Sequence, residues 1–341
     1  MATSPSEIEQ VMASALRRYN AGCLSEAEIA CRQLLALDSR NPSAHQLLAV
    51  LSLAGNEVTA ARIHIIQSLK ERPQHGPSLL LAGKIARAEG DIATAAQYFE
   101  QASVAMPHTG EAYFLFASAL VDLGSSTAIP VLRRLLASHG RDADTWCLLG
   151  VALRRHGEPG TALDAFRTAV ECCPGMGKAH FYVATELCAQ GSPLEAIPVF
   201  RRAVELEPSS MEIVFNLGTA LRATGDVEAA RTAFEMAIAL APSFADAWFN
   251  QGLACQDLRD LQGAADAFRT ALEHRPDYAE AAVNLGIVLQ DARLMDAALE
   301  AYRLAVRLRP DTFGRIAHAL SGGSTGRLWL SSADLRHTLA A

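Results

Sequence analysis

Three asparagines recur at one interval in the last third of the chain. Asn216, Asn250 and Asn284 follow one another at equal steps. A carboxamide both donates and accepts hydrogen bonds, so a row of them can pair with the N–H and C=O groups of an extended peptide. Asparagine is also unfavourable inside a helix, because its side chain competes for backbone hydrogen bonds. The spacing therefore predicts either a ladder that grips a peptide backbone or amides that cap or bridge adjacent helices within the protein.

An apolar row precedes these asparagines in the sequence and continues toward the N-terminus. Phe215 and Phe249 stand directly before two of the asparagines, and Phe181 precedes Phe215 by the same step. An apolar strip that remains exposed in a folded protein is typical of a binding surface. Neighbouring helices could also cover these rings, and the sequence leaves both interpretations open.

Charged residues predict mixed electrostatics on the same surface. Arg154, Arg155 and Arg222 predict a basic patch in its middle part. Asp257 and Asp291 lie near the ends of predicted helices, where the helix dipole does not favour an acid. A second group of acids lies at predicted helix starts, where the dipole accounts for them: Glu111, Asp144, Glu212, Asp246 and Glu280.

No residue pattern supports catalysis, a cofactor or a metal ion. Residues 322–326 (GGSTG) match G-x-S-x-G, but a predicted helix precedes them, whereas a nucleophile elbow follows a strand. The segment also lacks the lysine and spacing of a phosphate-binding loop. The ten histidines show no metal-ligand spacing. We therefore predict a non-enzymatic protein.

Composition excludes several classes of partner. A formal net charge of −7 and a pI of about 5.8 give no reason to expect nucleic acid binding. The sequence contains no uninterrupted apolar stretch of the length that a membrane span needs, so membrane insertion is not expected. Residues 1–10 carry acids and no apolar region of the secretory type. The seven cysteines form no C-x-x-C pair, which favours reduced thiols and a cytoplasmic location.

These residues belong to a repeat that covers most of the chain. Alanines recur with a period of about 34 residues, a length typical of stacked repeats, and one step is a single residue shorter. They are Ala27, Ala61, Ala95, Ala128, Ala162, Ala196, Ala230, Ala264 and Ala298. With this alanine at position 20, a tail (1–7) precedes nine repeats, and residues 313–341 follow them. The repeats, numbered 1 to 9 in order, are 8–41, 42–75, 76–109, 110–142, 143–176, 177–210, 211–244, 245–278 and 279–312.

Other repeat positions predict a hairpin of two helices, A and B. Positions 8, 20 and 27 are mostly small, which lets antiparallel helices approach closely. Position 24 is mostly aromatic, and we expect its ring to fill the space between one hairpin and the next. Position 32 is proline in seven repeats and ends helix B. Glycine with a polar residue separates the helices, as in Gly90–Asp91 and Gly225–Asp226.

This pattern resembles the tetratricopeptide repeat family. In repeat 5 the consensus matches are Trp146, Leu149, Gly150, Gly157, Ala162, Phe166, Ala169 and Pro174; in repeat 8 they are Trp248, Gly252, Ala264, Phe268, Ala271 and Pro276. The resemblance implies an all-α, right-handed superhelical solenoid of about nine hairpins, with helix A lining a concave groove. Repeat 4 is one residue short, at residues 124–127, and predicts either a local change of twist and a hinge or merely a shortened turn.

The last three repeats also resemble the superhelical arm of O-linked N-acetylglucosamine transferases, through their asparagines and residues 242–247 (PSFADA). Taken together, these resemblances imply a scaffold or adaptor that binds an extended peptide or partner protein in its groove. Two alternatives are an accessory subunit of a separately encoded enzyme, such as a glycosyltransferase, and a self-assembling scaffold that forms homo-oligomers. Residues 313–341 are expected to cap the solenoid, with Trp329 plugging its end, or else to dock a partner.

Overall fold

The computed structural model describes residues 5–140, 142–322, 335–336 and 338–339. Its helices are α1 (Pro5–Asn20), α2 (Leu24–Leu37), α3 (Pro42–Ala54), α4 (Val58–Glu71), α5 (Gly76–Ala88), α6 (Ile92–Ala105), α7 (Gly110–Asp122), α8 (Ala128–His139), α9 (Ala143–Arg155), α10 (Pro159–Cys172), α11 (Gly177–Ala189), α12 (Pro193–Leu206), α13 (Met211–Ala223), α14 (Val227–Leu240), α15 (Ala245–Asp257), α16 (Leu261–His274), α17 (Ala279–Asp291), α18 (Met295–Leu308) and α19 (Phe313–Gly322). The described part of the chain contains no strand, which confirms an all-α helical solenoid.

The helices pack as hairpins, each formed by helices A and B of one repeat. The hairpins fall into two compact lobes, Met1–Cys172 and Cys173–Ala341. Within each lobe some consecutive A helices contact each other, α3 with α5 and α7 with α9 in the first and α11 with α13 and α13 with α15 in the second. The A helices of a lobe therefore form one layer, called here the A layer, and the side chains at positions 5, 6 and 9 recur along it.

A left-handed residue ends helix A in all nine repeats. Position 15 has a positive φ throughout and is glycine in six repeats, while Asn56, Arg259 and Arg293 occupy it in the others. The next N–H donates to a carbonyl five residues back, as Asp226 does to Leu221 and Asp260 to Cys255. This is the Schellman arrangement, which satisfies carbonyls at the helix end. It turns the chain sharply enough for helix B to start two residues later.

The size of position 8 is matched to the side chain at position 24 of the same repeat. A Cβ added to Gly218 would lie 2.7 Å from the ring of Phe234, and one added to Gly252 would lie 2.6 Å from Phe268. The ring therefore covers the glycine of its own hairpin. The prediction that it fills the space between neighbouring hairpins is incomplete, because the closest packing is within the repeat.

The residues at positions 8 and 24 match in size in most repeats. Glycine faces an aromatic ring in five repeats: Gly83 with Phe99, Gly150 with Phe166, Gly218 with Phe234, Gly252 with Phe268, and Gly286 with Tyr302. Alanine accompanies a non-aromatic residue in three: Ala15 with Cys31, Ala49 with Ile65, and Ala117 with Leu132. Only repeat 6 combines alanine with a ring, Ala184 with Phe200. In eight of the nine repeats the smaller residue at position 8 thus accompanies the larger side chain at position 24, as close packing of the two helices favours.

The missing residue of repeat 4 shortens its second helix. Helix α8 begins at Ala128, which is position 20, whereas the other B helices begin at position 17. The turn before α8 contains a hydrogen bond between the hydroxyls of Ser125 and Thr127. The lobe boundary lies elsewhere, at Cys172–Cys173. The deletion is therefore absorbed locally, in the turn and in a helix of 12 residues where the other B helices have 14.

The residues after repeat 9 pack against it. Helix α19 contacts α17, and Ile316 and Leu320 join a buried cluster with Tyr302. Leu335 and Leu339 belong to the same cluster, and Arg303 donates to the carbonyl of Thr338. Trp329, the predicted plug, lies outside the described residues. Among the helices that the structure describes, none is long and apolar enough to cross a membrane.

The left-handed turns predict an engineered gain in stability. Arg259 has φ of 64°, a conformation that disfavours any residue with a Cβ. Arg259→Gly should raise the free energy of unfolding by roughly 1 kcal/mol, because glycine adopts this conformation without the steric cost. Arg259→Ala is the matched control, since it removes the same side chain and keeps the Cβ. Urea unfolding followed by circular dichroism measures both, and equal midpoints for the two variants would contradict the explanation.

Candidate functional site

The three asparagines are held in one conformation by their own helices. The amide nitrogen of each donates to the carbonyl oxygen four residues back, from Asn216 to Glu212, Asn250 to Asp246, and Asn284 to Glu280, at 2.8 Å in every case. One N–H of each amide is thereby used. The other N–H and the Oδ1 stay available, so the amide is both preorganised and still able to donate and accept.

The asparagines differ in their exposure. Asn216 and Asn250 are half-buried, whereas only 9% of the Asn284 surface is exposed. Asn284 belongs to α17, against which α19 packs. An extended ligand thus finds two accessible amides in the A layer of the C-terminal lobe, rather than the predicted three.

The predicted phenylalanine row is mostly covered by neighbouring rings. The Phe215 ring centroid lies 5.9 Å from that of Phe234 and 5.2 Å from that of Phe244. Phe249 is similarly placed, 5.6 Å from Phe268 and 4.9 Å from Tyr278. Both are half-buried, while Phe181 is only 9% exposed. Of the two interpretations left open, partial cover is observed, because the rings that contact Phe215 and Phe249 come from the second helix and the closing turn of the same repeat.

The predicted charges are partly neutralised within the A layer. The Arg222 Nε lies 2.8 Å from the Asp257 Oδ2, an ion pair that joins consecutive A helices α13 and α15. Arg155 donates to the carbonyl of Val121, at the end of α7. Arg154 and Asp291 form no ion pair with any residue that the structure describes, and Asp291 is exposed. Of the predicted basic patch, Arg155 is exposed, while Arg154 and Arg222 are half-buried.

A polar tie between positions 2 and 31 was missed by sequence reasoning. Both Asp246 oxygens accept from Arg275, at 2.9 and 2.7 Å, and the Tyr278 hydroxyl donates to Asp246 at 2.8 Å. The hydrogen bonds from Arg275 hold the pKa of Asp246 below its usual range, while burial and the bond to Asp246 raise the pKa of Tyr278. The acid at position 2, attributed to the helix dipole, is thus one half of an ion pair.

The same two positions are joined in other repeats. Arg309 pairs with Glu280 at 2.6 Å, and Arg72 donates to the Ser43 hydroxyl at 3.2 Å. Repeat 6 reverses the polarity, with Glu207 accepting from the Lys178 N–H at 2.8 Å. The start of helix A is therefore tied to the end of helix B. The signal was present in the sequence as a complementary pair that recurs at the same two positions of several repeats.

A second recurring tie links four of the repeats to the repeat before them. Ring N–H groups at position 4 donate to the carbonyl oxygen at position 32 of the preceding repeat: Trp248 to Pro242 at 2.8 Å, Trp146 to Gly140 at 3.3 Å, His180 to Pro174 at 3.0 Å and His45 to Ser39 at 3.1 Å. Proline at position 32 lacks an N–H, and its carbonyl accepts this bond. The ring at position 4 thus fixes its own hairpin to the turn that ends the preceding repeat.

The described residues hold no group of three or more histidine, cysteine or acidic side chains that could bind a metal ion. The Ser324 of the G-x-S-x-G match lies outside the described residues. Burial raises the pKa of the Cys31 thiol to about 11, and burial also raises the pKa of Cys188 and Cys255, so these thiols are poor nucleophiles. The arrangement offers hydrogen bonding and apolar contact to a ligand.

Comparison with known proteins identifies the repeat. The sequence matches the family Tetratricopeptide repeat over residues 124–176, 184–245, 220–269 and 249–312. Similar solved structures include MamA of Desulfovibrio magneticus, with 20% identity over 50% of this chain and 96% of that chain and a TM-score of 0.48. YrrB, described as a TPR protein with an unusual peptide-binding site, has 20% identity over 57% of this chain and 98% of that chain and a TM-score of 0.47. No curated protein matches the sequence.

The Asp246 network predicts a pH-dependent contribution to stability. Its folded pKa is lowered, so its contribution is complete well above the ordinary pKa of 3.8 and is lost as the pH falls below that value. Asp246→Asn should lower the free energy of unfolding at pH 7 by about 1 kcal/mol, a value reduced by solvent screening.

The difference between wild type and Asp246→Asn should shrink as thermal unfolding is repeated toward pH 3, because the wild-type carboxylate then takes up a proton. Asp257→Asn provides the control, since Asp257 is exposed and its ion pair with Arg222 rests on a single hydrogen bond. A difference for Asp246→Asn that stays constant across this range would show that the ion pair does not contribute as described.

Proposed function

The chain belongs to the tetratricopeptide repeat family, whose repeats are protein-interaction modules, and on this premise we propose that it is a non-enzymatic scaffold that binds an extended polypeptide. The proposed binding surface is the A layer of the C-terminal lobe, around Asn216 and Asn250 on α13 and α15.

The observation that carries this proposal is the common conformation of the two accessible amides. Each is fixed by a 2.8 Å bond to its own helix, and each is half-buried beside a half-buried phenylalanine. A fixed amide loses little conformational entropy when a ligand binds. The bonding groups of a peptide backbone do not depend on side-chain identity, so such amides favour binding with little sequence preference.

The surroundings indicate the chemistry of the polypeptide. Phe215 and Phe249 offer ring edges to small apolar side chains. The Arg222–Asp257 pair neutralises one cation and one anion between these helices, and Glu212 and Thr219 are exposed nearby on α13. We therefore expect an extended segment with small side chains next to Asn216 and Asn250.

The resemblance to the arm of O-linked N-acetylglucosamine transferases now concerns two asparagines. The shared side-chain conformation of Asn216 and Asn250 supports a ladder of two amides, whereas Asn284 is largely covered. The proposal therefore limits any shared mode of binding to repeats 7 and 8. It requires no glycosyltransferase activity and no separate enzyme.

The asparagines supply the decisive test and its control. Asn216→Ala/Asn250→Ala should weaken partner binding about tenfold or more, because each lost hydrogen bond contributes about 1 kcal/mol. Asn284→Ala should leave binding unchanged, because that amide is covered. Proteins captured by the full-length chain from extracts of its own cells are quantified by mass spectrometry, and the affinity of a captured partner is then measured by calorimetry.

The comparison also separates binding from folding. Alanine is a better helix former than asparagine, so both variants should keep the helical content of the wild type in circular dichroism. If a partner binds the double variant and the wild type equally well, the amides of repeats 7 and 8 do not form the binding surface.

A further inference from the structure

Two depressions on the N-terminal lobe occupy equivalent places in consecutive repeats. The first has a volume of about 570 Å³ and lies between the turn after α4 and helices α5 and α6. The second, of about 360 Å³, lies between the turn after α6 and helices α7 and α8. Both are lined by positions 32 and 33 of one repeat and by position 4 and the second helix of the next. They are called here the acidic pocket and the basic pocket.

These pockets occur where the tie from position 4 to position 32 is absent. Position 4 is Leu79 beside the acidic pocket and Tyr113 beside the basic pocket, and neither has a ring N–H. Within the described part of the chain, no group donates to the carbonyl oxygen of Pro73 or of Pro107. In four other repeats a tryptophan or histidine ring donates to the carbonyl at position 32. Beside these two pockets that carbonyl can accept a hydrogen bond from another donor.

The acidic pocket combines a carboxylate with an exposed apolar wall. Glu100 is exposed and forms no ion pair with a described residue, and Gln101 lies beside it. Val104 is 74% exposed, the highest value for a large apolar side chain in the described structure. A lysine or arginine side chain fits this lining, because its aliphatic stem packs on Val104 and Leu79 while its charged end reaches Glu100.

The basic pocket has the opposite charge. Arg134 is exposed, forms no ion pair with a described residue, and stacks 5.7 Å from the centroid of the Tyr113 ring. That contact orients the planar guanidinium, and His108 lines the same pocket. A fixed guanidinium binds a carboxylate through two parallel hydrogen bonds, so this pocket fits an aspartate or glutamate side chain.

From this geometry we infer a second protein-binding site, on the outer edge of repeats 3 and 4 and separate from the A layer of the C-terminal lobe. Its occupant is a polypeptide segment with one basic and one acidic side chain. The basic side chain enters the acidic pocket, and the acidic side chain enters the basic pocket. The two pockets of opposite charge fix the direction of the bound segment, because the reversed segment would place like charges together. This inference is independent of the asparagine surface.

A charge exchange between the pockets tests the inference. A phage-displayed library of random peptides is selected on the full-length protein and on the double variant Glu100→Arg/Arg134→Glu. Wild type should enrich peptides with a basic and an acidic residue at a fixed spacing, and the double variant should enrich the two charges in reversed order. Arg134→Glu alone should weaken a peptide selected on wild type by about tenfold or more at low ionic strength, as a lost charge pair implies.

Two controls show whether a change in peptide selection comes from loss of folding or from binding at the A-layer site. Glu100 and Arg134 are exposed, so their exchange should leave the helical content unchanged in circular dichroism. Asn216→Ala/Asn250→Ala should bind the same selected peptides as wild type, which separates this site from the proposed A-layer site. The inference is overturned if no charged pair is enriched, or if the charge-exchanged variant selects the same order of charges as wild type.

Discussion

The contact between position 8 and position 24 is the constraint on which the rest of the structure depends. A ring over a glycine, or a smaller side chain over an alanine, sets how closely helices A and B of one hairpin approach. Because the two side-chain sizes compensate in eight of the nine repeats, successive hairpins can stack in a similar way within each lobe. Only then do residues one period apart, such as Asn216 and Asn250, reach the same layer with the same orientation.

Hydrogen bonds at the ends of the helices hold the packed hairpins together. A bond between positions 31 and 2 closes one end of the hairpin in repeats 2, 6, 8 and 9. The left-handed residue with its backward hydrogen bond closes the other end in every repeat. The ring donor at position 4 then fastens a hairpin to the preceding turn. In repeats 3 and 4, where position 4 is Leu79 and Tyr113, that donor is missing and the two pockets of opposite charge lie beside the untied carbonyls.

The sequence was sufficient for the hairpins, their order and the residues of the A layer, because all of these follow from one period. It was insufficient for exposure, which depends on how the next element packs. Asn284 shares the period and the helix bond of Asn216, yet it is largely covered, and Phe181 is buried although Phe215 is not. The Arg222–Asp257 pair was also not foreseen, because it joins separate A helices, whose side-chain reach cannot be read from one repeat.

The volume match at positions 8 and 24 is tested most directly by a double-mutant cycle in repeat 8. Gly252→Ala places a Cβ 2.6 Å from the Phe268 ring, and Phe268→Leu removes part of that ring, so each should destabilise the protein alone. The double variant recreates the Ala117 and Leu132 pair of repeat 4. Urea unfolding should show it to be more stable, by about 1 kcal/mol or more, than the sum of the single effects predicts. Additive effects would contradict the claim that the two positions set the helix crossing together.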